Sequence, residues 1–352
     1  MPTTLPDLRD LSLEEVNTLV AGLGEKPYRA KQLWGWIWQK HAPSIEAMSD
    51  LPKAFRAQLA GRVVYRPLTL AEQQRSSDGT FKCAFRTHDG FVVEGVLIPT
   101  ETRMTACIST QVGCSLTCAF CATGKLKRER NLSAGEIVDQ VVAINKLAEA
   151  NYQKPLSNIV YMGMGEPLLN YANTLRSAER ISAEDGLGMS PRRITVSTAG
   201  IAKMIRKLAD DDARFNLALS LHAANDKKRG MIMPINEQNS IGELMDALRY
   251  YTRKTRKEVT FEYILFRDFN DSPEDAQELV RHCSTVHAKV NLSEYNSTDD
   301  GLFQGTAPGT AEDFQRYLDS KGIIARIRRS RGRDIDAACG QLANKNKAAL
   351  KP

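Results

Sequence analysis

The chain has 352 residues, of which 42% are hydrophobic and 26% charged, an ordinary composition for a soluble globular protein with one large domain and a smaller one. No apolar run approaches the roughly 18 residues that span a membrane, and the N-terminal MPTTLPDLRDLSLEE lacks the apolar stretch of a secretory signal. Seven cysteines are too sparse, and odd in number, for a disulfide framework, so we expect a cytoplasmic protein with free thiols.

Residues 1–60 are predicted to form a small N-terminal helical accessory domain that binds RNA. Apolar residues recur at helical spacing after Ser12, which forms a capping box with Glu15. In the next helical segment, Trp34 and Trp38 lie four residues apart on one face. We interpret these two rings as packing within the domain; the alternative is a basic, aromatic surface that binds RNA.

Residues 61–102 are predicted to form a β-hairpin extension. Phe81–Arg86 and Phe91–Ile98 alternate in polarity on either side of a His-Asp-Gly turn. Glu94 falls in the middle of the second strand. A carboxylate there usually faces solvent, and it becomes a functional candidate only if it points at a site.

From about residue 103, strand-like and helical segments alternate, which predicts a parallel sheet. The strand-like segments are MTACIS, NIVYMG, RITVS, NLALSLH, VTFEYILF and AKVNLSEY, followed near the end by GIIARIR. The helical segments are 133–150, 171–184, 200–209, 239–254, 274–287 and 311–320. Six such units favour an α/β fold, an open, partial (βα)6 barrel over 103–352, in which the loops after the strands carry the chemistry.

Three cysteines lie in the loop after the first of these strands: Cys114, Cys118 and Cys121, in the pattern C-x3-C-x2-C. A zinc site would need a fourth ligand at finger-like spacing, and no His occurs between Cys107 and Cys121. Redox-active thiols are the other alternative. Three thiolates on a 4Fe-4S cluster leave one iron open to a small molecule, and this spacing is that of the radical S-adenosylmethionine (SAM) enzymes.

Polar or small residues follow the later strands, where they would converge on the mouth of the barrel. Glycines let the backbone approach a ligand, and exposed carbonyls beside a carboxylate can accept hydrogen bonds from an ammonium group. We therefore expect a SAM-binding ring from the residues at these strand ends: Gly165, Glu166, Ser197, Ser220, Leu221, His222 and Asn296. His222 alone would more often be structural.

The C-terminal part of the chain is basic. Residues 321–352 hold nine Lys or Arg and two Asp, a net charge of +7, whereas the formal charge of the whole chain is +6. Five arginines fall within IARIRRSRGRD. Arginines so close repel one another unless an anion is near, and phosphate backbones are the commonest such partner, so we expect this run to contact RNA.

The chain resembles the radical SAM RNA adenine methyltransferases of the RlmN type over nearly its whole length. The segments that carry the resemblance are CISTQVGCSLTCAFCATG, YMGMGEPLLN, ITVSTAG, LALSLHAANDKKR, MPIN and RGRDIDAACGQLA. Two segments depart from the family pattern: Lys125-Leu126-Lys127 and NLSEYNSTDD. Neither contains a cluster cysteine, so the shape of these loops is affected rather than the activity.

The resemblance implies methylation of carbon 2 of an adenine in 23S rRNA, and of the adenine beside the anticodon in tRNA. It implies two SAM molecules: one methylates Cys339, and the other, at the open iron of the 4Fe-4S cluster, yields a radical that takes a hydrogen from that methyl group. The methyl carbon then adds to the adenine. Cys107 matches the cysteine that closes a transient disulfide with Cys339, and Glu94 matches the proton acceptor, a role for which Cys107 competes.

The same resemblance implies a flavodoxin-like or ferredoxin-like reductant, and we expect a monomer. A sibling alternative is carbon-8 methylation of adenine, as in the Cfr-type enzymes with the same cysteine set. Alternatives from other classes are a zinc-ordered RNA-binding protein without catalysis and an electron-transfer iron–sulfur protein. Cys83 and Cys283 are interpreted as buried, inert thiols.

Overall fold

The computed structural model describes residues 5–298 and 301–345. Within the described residues, three α-helices precede the sheet: α1 (Leu13–Gly22), α2 (Tyr28–Trp38) and α3 (Lys53–Ala60). The predicted capping box opens α1, where the Ser12 hydroxyl accepts from the Glu15 N–H at 3.1 Å and the Glu15 carboxylate accepts from the Ser12 N–H at 2.7 Å. Sequence therefore places this helix start correctly, because the box depends only on residues three apart.

The two tryptophans of α2 are buried, which confirms their interpretation as packing residues. Trp34 and Trp38 are 7% and 2% exposed, and their rings meet edge to face with centroids 5.9 Å apart. The Trp34 indole N–H also donates to Asp185 at 2.7 Å. Buried Arg9 adds a second link, an ion pair with Asp139 of the first long helix after the hairpin. The N-terminal helices are thus tied to the rest of the chain by polar contacts.

Ten strands form one mixed sheet. They are β1 (Thr69–Arg75), β2 (Phe81–Arg86), β3 (Val92–Pro99), β4 (Met104–Cys107), β7 (Asn158–Tyr161), β8 (Ile194–Thr198), β9 (Asn216–Ser220), β10 (Val259–Leu265), β11 (Ala288–Glu294) and β12 (Ala325–Arg328). Two short strands, β5 (Gln111–Val112) and β6 (Arg130–Asn131), pair with each other in a separate sheet. Spatial order follows chain order from β1 to β12. Pairing is antiparallel as far as β4 and parallel from β4 onward.

The predicted hairpin is β2 and β3, and the predicted strand–helix units are all present. The helices after β4 are α4 (Ala134–Tyr152), α5 (Tyr171–Ser182), α6 (Ala202–Asp210), α7 (Asp226–Ile232), α8 (Ile241–Thr255), α9 (Pro273–Thr285) and α10 (Thr310–Ser320). Sequence missed β1 because this edge strand, TLAEQQR, buries no apolar face. It missed α7 because seven mostly polar residues show no helical period.

The open sheet and the helices that connect its parallel strands form the predicted partial barrel. Successive parallel strands are rich in Val, Ile and Leu, because helices cover the outer face and other side chains fill the inner one. Strand β10 is buried at every position. In the described part of the chain, no helix combines the length and apolar character needed to cross a lipid bilayer.

Candidate active site

The three clustered cysteines lie in the loop that follows β5. Gly113 opens this loop at φ +73°, and a Cβ there would lie 2.1 Å from the Lys127 carbonyl oxygen, so only glycine fits the turn. The Ala119 N–H donates to the Ile232 carbonyl at 2.9 Å, which fastens the loop to the end of α7. Phe120 packs edge to face on His222, with centroids 4.8 Å apart. A backbone hydrogen bond and an aromatic contact thus hold the cysteine loop in place.

The three thiols of this loop are suitable ligands for an iron–sulfur cluster. Burial raises the pKa of Cys114 to about 11 and raises that of Cys118, and the negative charge of neighbouring thiolates acts in the same direction. Metal binding reverses this preference, because iron takes the deprotonated sulfur. Three thiolates are the donor set of a cluster with one open iron. Across residues 5–298 and 301–345, no three His, Cys, Asp or Glu side chains converge closely enough to hold one metal ion.

A cavity of about 410 Å³ lies at the carboxyl ends of the parallel strands. The predicted site residues that line it are Cys107, Cys114, Cys118, Cys121, Gly165, Glu166, Ser197, Ser220, His222 and Cys339. Apolar side chains such as Val96, Ile98 and Phe120 form other parts of its wall. Three predicted residues, Glu94, Leu221 and Asn296, are absent from the described lining. Topology therefore brings most of the predicted site together.

Glu166 connects two strand ends rather than pointing freely into the cavity. Its Oε1 accepts from the Leu168 N–H at 2.9 Å and its Oε2 from the Ala199 N–H at 2.7 Å. Burial raises the pKa of this carboxyl, and the two backbone donors oppose the rise. Gly165 precedes it at φ +93°, where a Cβ would approach Gln111 to 2.5 Å. The turn therefore presents backbone and carboxylate together at the cavity wall.

Two hydroxyls and a neutral imidazole line the next strand ends. The Ser197 and Ser220 hydroxyls are 3.3 Å apart, close enough to share one polar ligand group. His222 has φ +55°, and its Nδ1 accepts from the Ile264 N–H at 3.1 Å. Burial, with a contribution from Arg229, lowers the pKa of His222 to about 3. This histidine is therefore neutral at physiological pH and fastens one strand end to the next.

A second pair of thiols, Cys107 and Cys339, lines the same cavity. Cys107 ends β4, and Cys339 lies in the C-terminal segment. All seven cysteines are free thiols. Burial raises the pKa of Cys107 to about 12, and Cys339 adds to the rise. Burial likewise raises the pKa of Cys339 to about 11, with further contributions from Cys121 and Glu262. The pKa of Cys107 is therefore sensitive to the charge of Cys339, and the pKa of Cys339 is sensitive to the charge of Cys121 in the cluster loop.

Asn296, expected to bind SAM, and Glu94, expected as the proton acceptor, both contact other parts of the chain. Asn296 donates from its side-chain amide to the Cys339 carbonyl at 3.2 Å and accepts from Arg333 Nε at 2.9 Å. Glu94 is fully buried, contrary to the usual solvent-facing strand carboxylate. Its Oε1 lies 3.1 Å from Lys82 Nζ, and its Oε2 accepts from the main chain of residues 343 and 344.

Anionic groups of the chain itself lie close to the arginine run. Carboxylates of the chain pair with most of it: Arg328 with Glu262, Arg329 with Glu294 and Glu312, Arg331 with Asp78, and Arg333 with Glu294. Tertiary folding brings these acids from distant parts of the sequence. Arg328, Arg329 and Arg331 still line the cavity, with side chains 45%, 61% and 34% exposed.

Sequence reasoning missed three charged residues at this site. Glu262 lies within β10, lines the cavity and accepts from Asn291 at 2.8 Å. Arg229 is fully buried beneath the cysteine loop and donates to the carbonyls of Leu221 and Ala199. Lys82 is the buried partner of Glu94. For Glu262 and Lys82 the available signal was a charge inside an otherwise apolar strand, which marks a paired group. Arg229 lies in the mostly polar helix α7, where the sequence offered no such signal.

Comparisons with known proteins match both parts of the chain. A family model described as the radical SAM superfamily matches residues 108–281, and one described as the N-terminal domain of a ribosomal RNA large subunit methyltransferase matches residues 6–64. A radical SAM methyltransferase from Sphaerobacter thermophilus has a crystal structure that superimposes with a TM-score of 0.90. It is 43% identical in sequence, with 97% of this chain and 99% of that chain covered.

Similarity to curated proteins extends over almost the full length. A protein from Cytophaga hutchinsonii, described as a probable dual-specificity RNA methyltransferase RlmN, is 52% identical, covering 96% of this chain and 93% of its own. A protein from Anaeromyxobacter dehalogenans, described as a dual-specificity RNA methyltransferase RlmN, is 45% identical over 96% of this chain and 92% of its own.

Proposed function

Because the chain belongs to the RlmN family of radical SAM RNA methyltransferases, we propose that it methylates carbon 2 of an adenine in 23S rRNA, at the peptidyl transferase centre, and of the adenine next to the anticodon in tRNA. One observation carries the proposal: the cysteine triplet and a second pair of thiols line the same cavity. A radical generator and a methyl carrier would need this proximity. An electron-transfer protein would have no use for the second pair.

Cys114, Cys118 and Cys121 would hold a 4Fe-4S cluster, and the polar strand ends would hold SAM. Bound there, the cluster and SAM would supply an electron and a carbon radical able to take hydrogen from a methyl group. Glu166 and Gly165 would orient the ammonium group of SAM. Ser197 and Ser220 would form hydrogen bonds with other polar groups of SAM. Apolar residues at Val96, Ile98 and Phe120 would exclude water from reactive species.

Cys339 would carry the methyl group as a thioether, and Cys107 would close a disulfide with it on product release. Cys107 is also a candidate for the base that removes the proton from carbon 2 of the adduct.

The basic residues at the cavity would receive the RNA. Arg103, Arg328, Arg329 and Arg331 line it, and partial exposure leaves the last three accessible to phosphate despite their internal ion pairs. We assign residues 1–60 to an RNA-binding accessory domain, 61–102 to a hairpin extension and 103–352 to the catalytic barrel. The proposal includes a cytoplasmic monomer, reduced by a flavodoxin-like or ferredoxin-like protein.

Mass spectrometry of RNA tests the proposal. In cells that lack the gene, 2-methyladenosine should disappear from 23S rRNA and from tRNA, and the wild-type chain should restore it. The Cys339→Ala variant should fail to restore it. Persistence of 2-methyladenosine in the deletion strain contradicts the proposal, and loss of 8-methyladenosine instead would assign the Cfr-type reaction. Retention of the tRNA modification alone would remove tRNA from the substrates.

A further inference from the structure

Lys82 and Glu94 form a buried ion pair on neighbouring strands of the hairpin. Their side chains are 4% and 0% exposed, and Lys82 Nζ lies 3.1 Å from Glu94 Oε1. In the register of β2 and β3, Ala84 stands opposite Glu94, so Lys82 is its diagonal neighbour on the same face. Val96 and Ile98, two and four residues after Glu94, line the cavity. The pair therefore lies on the cavity-facing side of the hairpin, next to the wall.

Both members of the pair also bind the C-terminal segment, one on each side of Cys339. Lys82 Nζ donates to the Ile335 carbonyl at 3.4 Å. Glu94 Oε2 accepts from the Ala343 N–H at 3.0 Å and from the Asn344 N–H at 3.1 Å. The segment thus leaves the hairpin after residue 335, passes Cys339 and returns to the hairpin at residue 343.

The middle of the segment is fastened to the loop of the cysteine triplet. The Ala122 N–H donates to the Gly340 carbonyl at 2.8 Å, and the Thr123 hydroxyl donates to the Leu342 carbonyl at 2.6 Å. Gly340 has φ +84°, and a Cβ there would approach the Phe120 carbonyl oxygen to 3.1 Å. Cys339 is consequently held between two supports, the hairpin pair and the triplet loop.

We propose that the Lys82–Glu94 pair is a clamp that seats the Cys339 loop against the cavity, and that Glu94 is a positioning residue rather than the proton acceptor. A buried carboxylate is costly unless its oxygens are paired and hydrogen-bonded. The Ala343 and Asn344 N–H groups supply hydrogen bonds to Oε2 only while the segment is docked. Undocking the segment would therefore leave the buried carboxylate without these two hydrogen bonds.

The location of Glu94 fits this role better than proton transfer from RNA. A general base must come within hydrogen-bond reach of the proton it removes. Leu342, just before the clamped residues, lines the cavity, whereas Glu94 is absent from the described lining. One oxygen faces Lys82 and the other faces two main-chain donors. The contacts of the clamp are observed in the structure, whereas its importance for methyl transfer depends on the proposed function of Cys339.

Hydrogen exchange of the anaerobically purified full-length holoenzyme tests the clamp. The readout is the exchange rate in peptides covering residues 341–345, and the β10 peptides covering 259–265 report whether the fold is intact. Glu94→Ala should speed exchange at residues 343 and 344 at least tenfold. The double variant Lys82→Met/Glu94→Gln keeps an amide oxygen for these N–H groups without leaving a buried charge, so it should stay within about threefold of wild type. Glu258→Gln, a carboxylate paired with Lys289 away from the segment, is the control.

RNA methylation separates positioning from proton transfer. The double variant has no carboxylate at position 94, and we expect it to retain at least a tenth of wild-type turnover. An inactive double variant that stalls as a protein–RNA adduct, with residues 343 and 344 protected, would overturn the positioning role. Wild-type exchange in Glu94→Ala would overturn the clamp. Absence of a methyl group on Cys339 in the intact mass of the wild-type protein would instead defeat the proposed function and leave the exchange result standing.

Discussion

Asn296 donates a hydrogen bond from its side-chain amide to the main-chain carbonyl of Cys339, at 3.2 Å, and Arg333 Nε holds the other end of that amide at 2.9 Å. This contact places the loop after β11 behind the residue proposed to carry the methyl group. Asn296, which was expected to bind SAM, thus supports the backbone of the loop that carries Cys339.

Replacing Asn296 should therefore slow the methylation of Cys339. Asn296→Asp keeps an acceptor for Arg333 but loses the donor to the Cys339 carbonyl, and Asn296→Ala loses both. One such hydrogen bond contributes about 1 kcal/mol, or roughly a fivefold change in the seated population. The rate of methyl addition to Cys339, followed by intact mass in the presence of SAM, should fall by this factor in Asn296→Asp and further in Asn296→Ala. Equal rates in all three proteins would mean that the contact is incidental.

Cys339 and the triplet should separate methyl transfer from cluster binding. Cys339→Ala should abolish RNA methylation while iron and sulfide contents stay at wild-type levels, because three other thiols would hold the cluster. Cys114→Ala should lose most of the iron. Cys283→Ala is the matched control, since that thiol is buried in α9 away from the cavity, and it should keep both properties. Loss of iron in Cys339→Ala would contradict the division of roles.

Cys107→Ala should trap the enzyme on its substrate. Without the second thiol, the disulfide that releases the product cannot close, so a covalent adduct between the protein and RNA should accumulate. Denaturing gel electrophoresis with labelled RNA measures this species. Cys83→Ala replaces a buried thiol on β2, which β3 separates from the strand of Cys107, and it should give no adduct. Free RNA without any adduct in Cys107→Ala would count against its assigned role.

Arg229 should be essential to the architecture of the strand ends. It is fully buried and donates to the Leu221 carbonyl at 3.2 Å, to Asn236 Oδ1 at 2.8 Å and to Ala199. Burial lowers the pKa of Arg229 to about 10, which still leaves it charged at pH 7. Arg229→Met would orphan three buried acceptors, at a cost of about 3 kcal/mol in unfolding free energy. Urea unfolding followed by circular dichroism measures that loss, and Arg206→Met on the α6 surface should unfold like wild type.

His41 should make the stability of the N-terminal helices depend on pH. Burial, with repulsion from Lys146, lowers the pKa of His41 to about 4, whereas an unfolded histidine titrates near 6.5. Between these pH values the unfolded chain binds the extra proton, so the unfolding free energy should fall as the pH drops from about 6.5 to about 4. All three tryptophans lie in α2, so their fluorescence during urea unfolding reports this region.

A His41→Asn variant supplies the comparison. Asparagine tolerates the left-handed backbone found at this position, where φ is +49°. Its urea midpoint should depend less steeply on pH over the same range than that of the wild type. Identical pH profiles for the two proteins would assign the dependence to other groups.

Features that depend on a local pattern are predictable from the sequence alone. Hydrophobic periods of two and of about 3.6 residues predicted the hairpin and the parallel strand–helix units, because each element buries one face or stripe. The spacing of Cys114, Cys118 and Cys121 predicted their common location, since eight residues of loop cannot separate them far. The order of strand ends likewise predicted that Gly165, Ser197 and Ser220 would share one cavity.

Which distant charges meet depends instead on the three-dimensional fold. Glu94 is a clamp residue because the last described segment folds back over the hairpin, about 250 residues further along the chain. Arg329 is neutralised by Glu294 and Glu312 because β11 and α10 lie beside the loop that follows β12. Coulombic and hydrogen-bond energies depend on distances in space, and burial makes them large. No spacing along the chain encodes those distances.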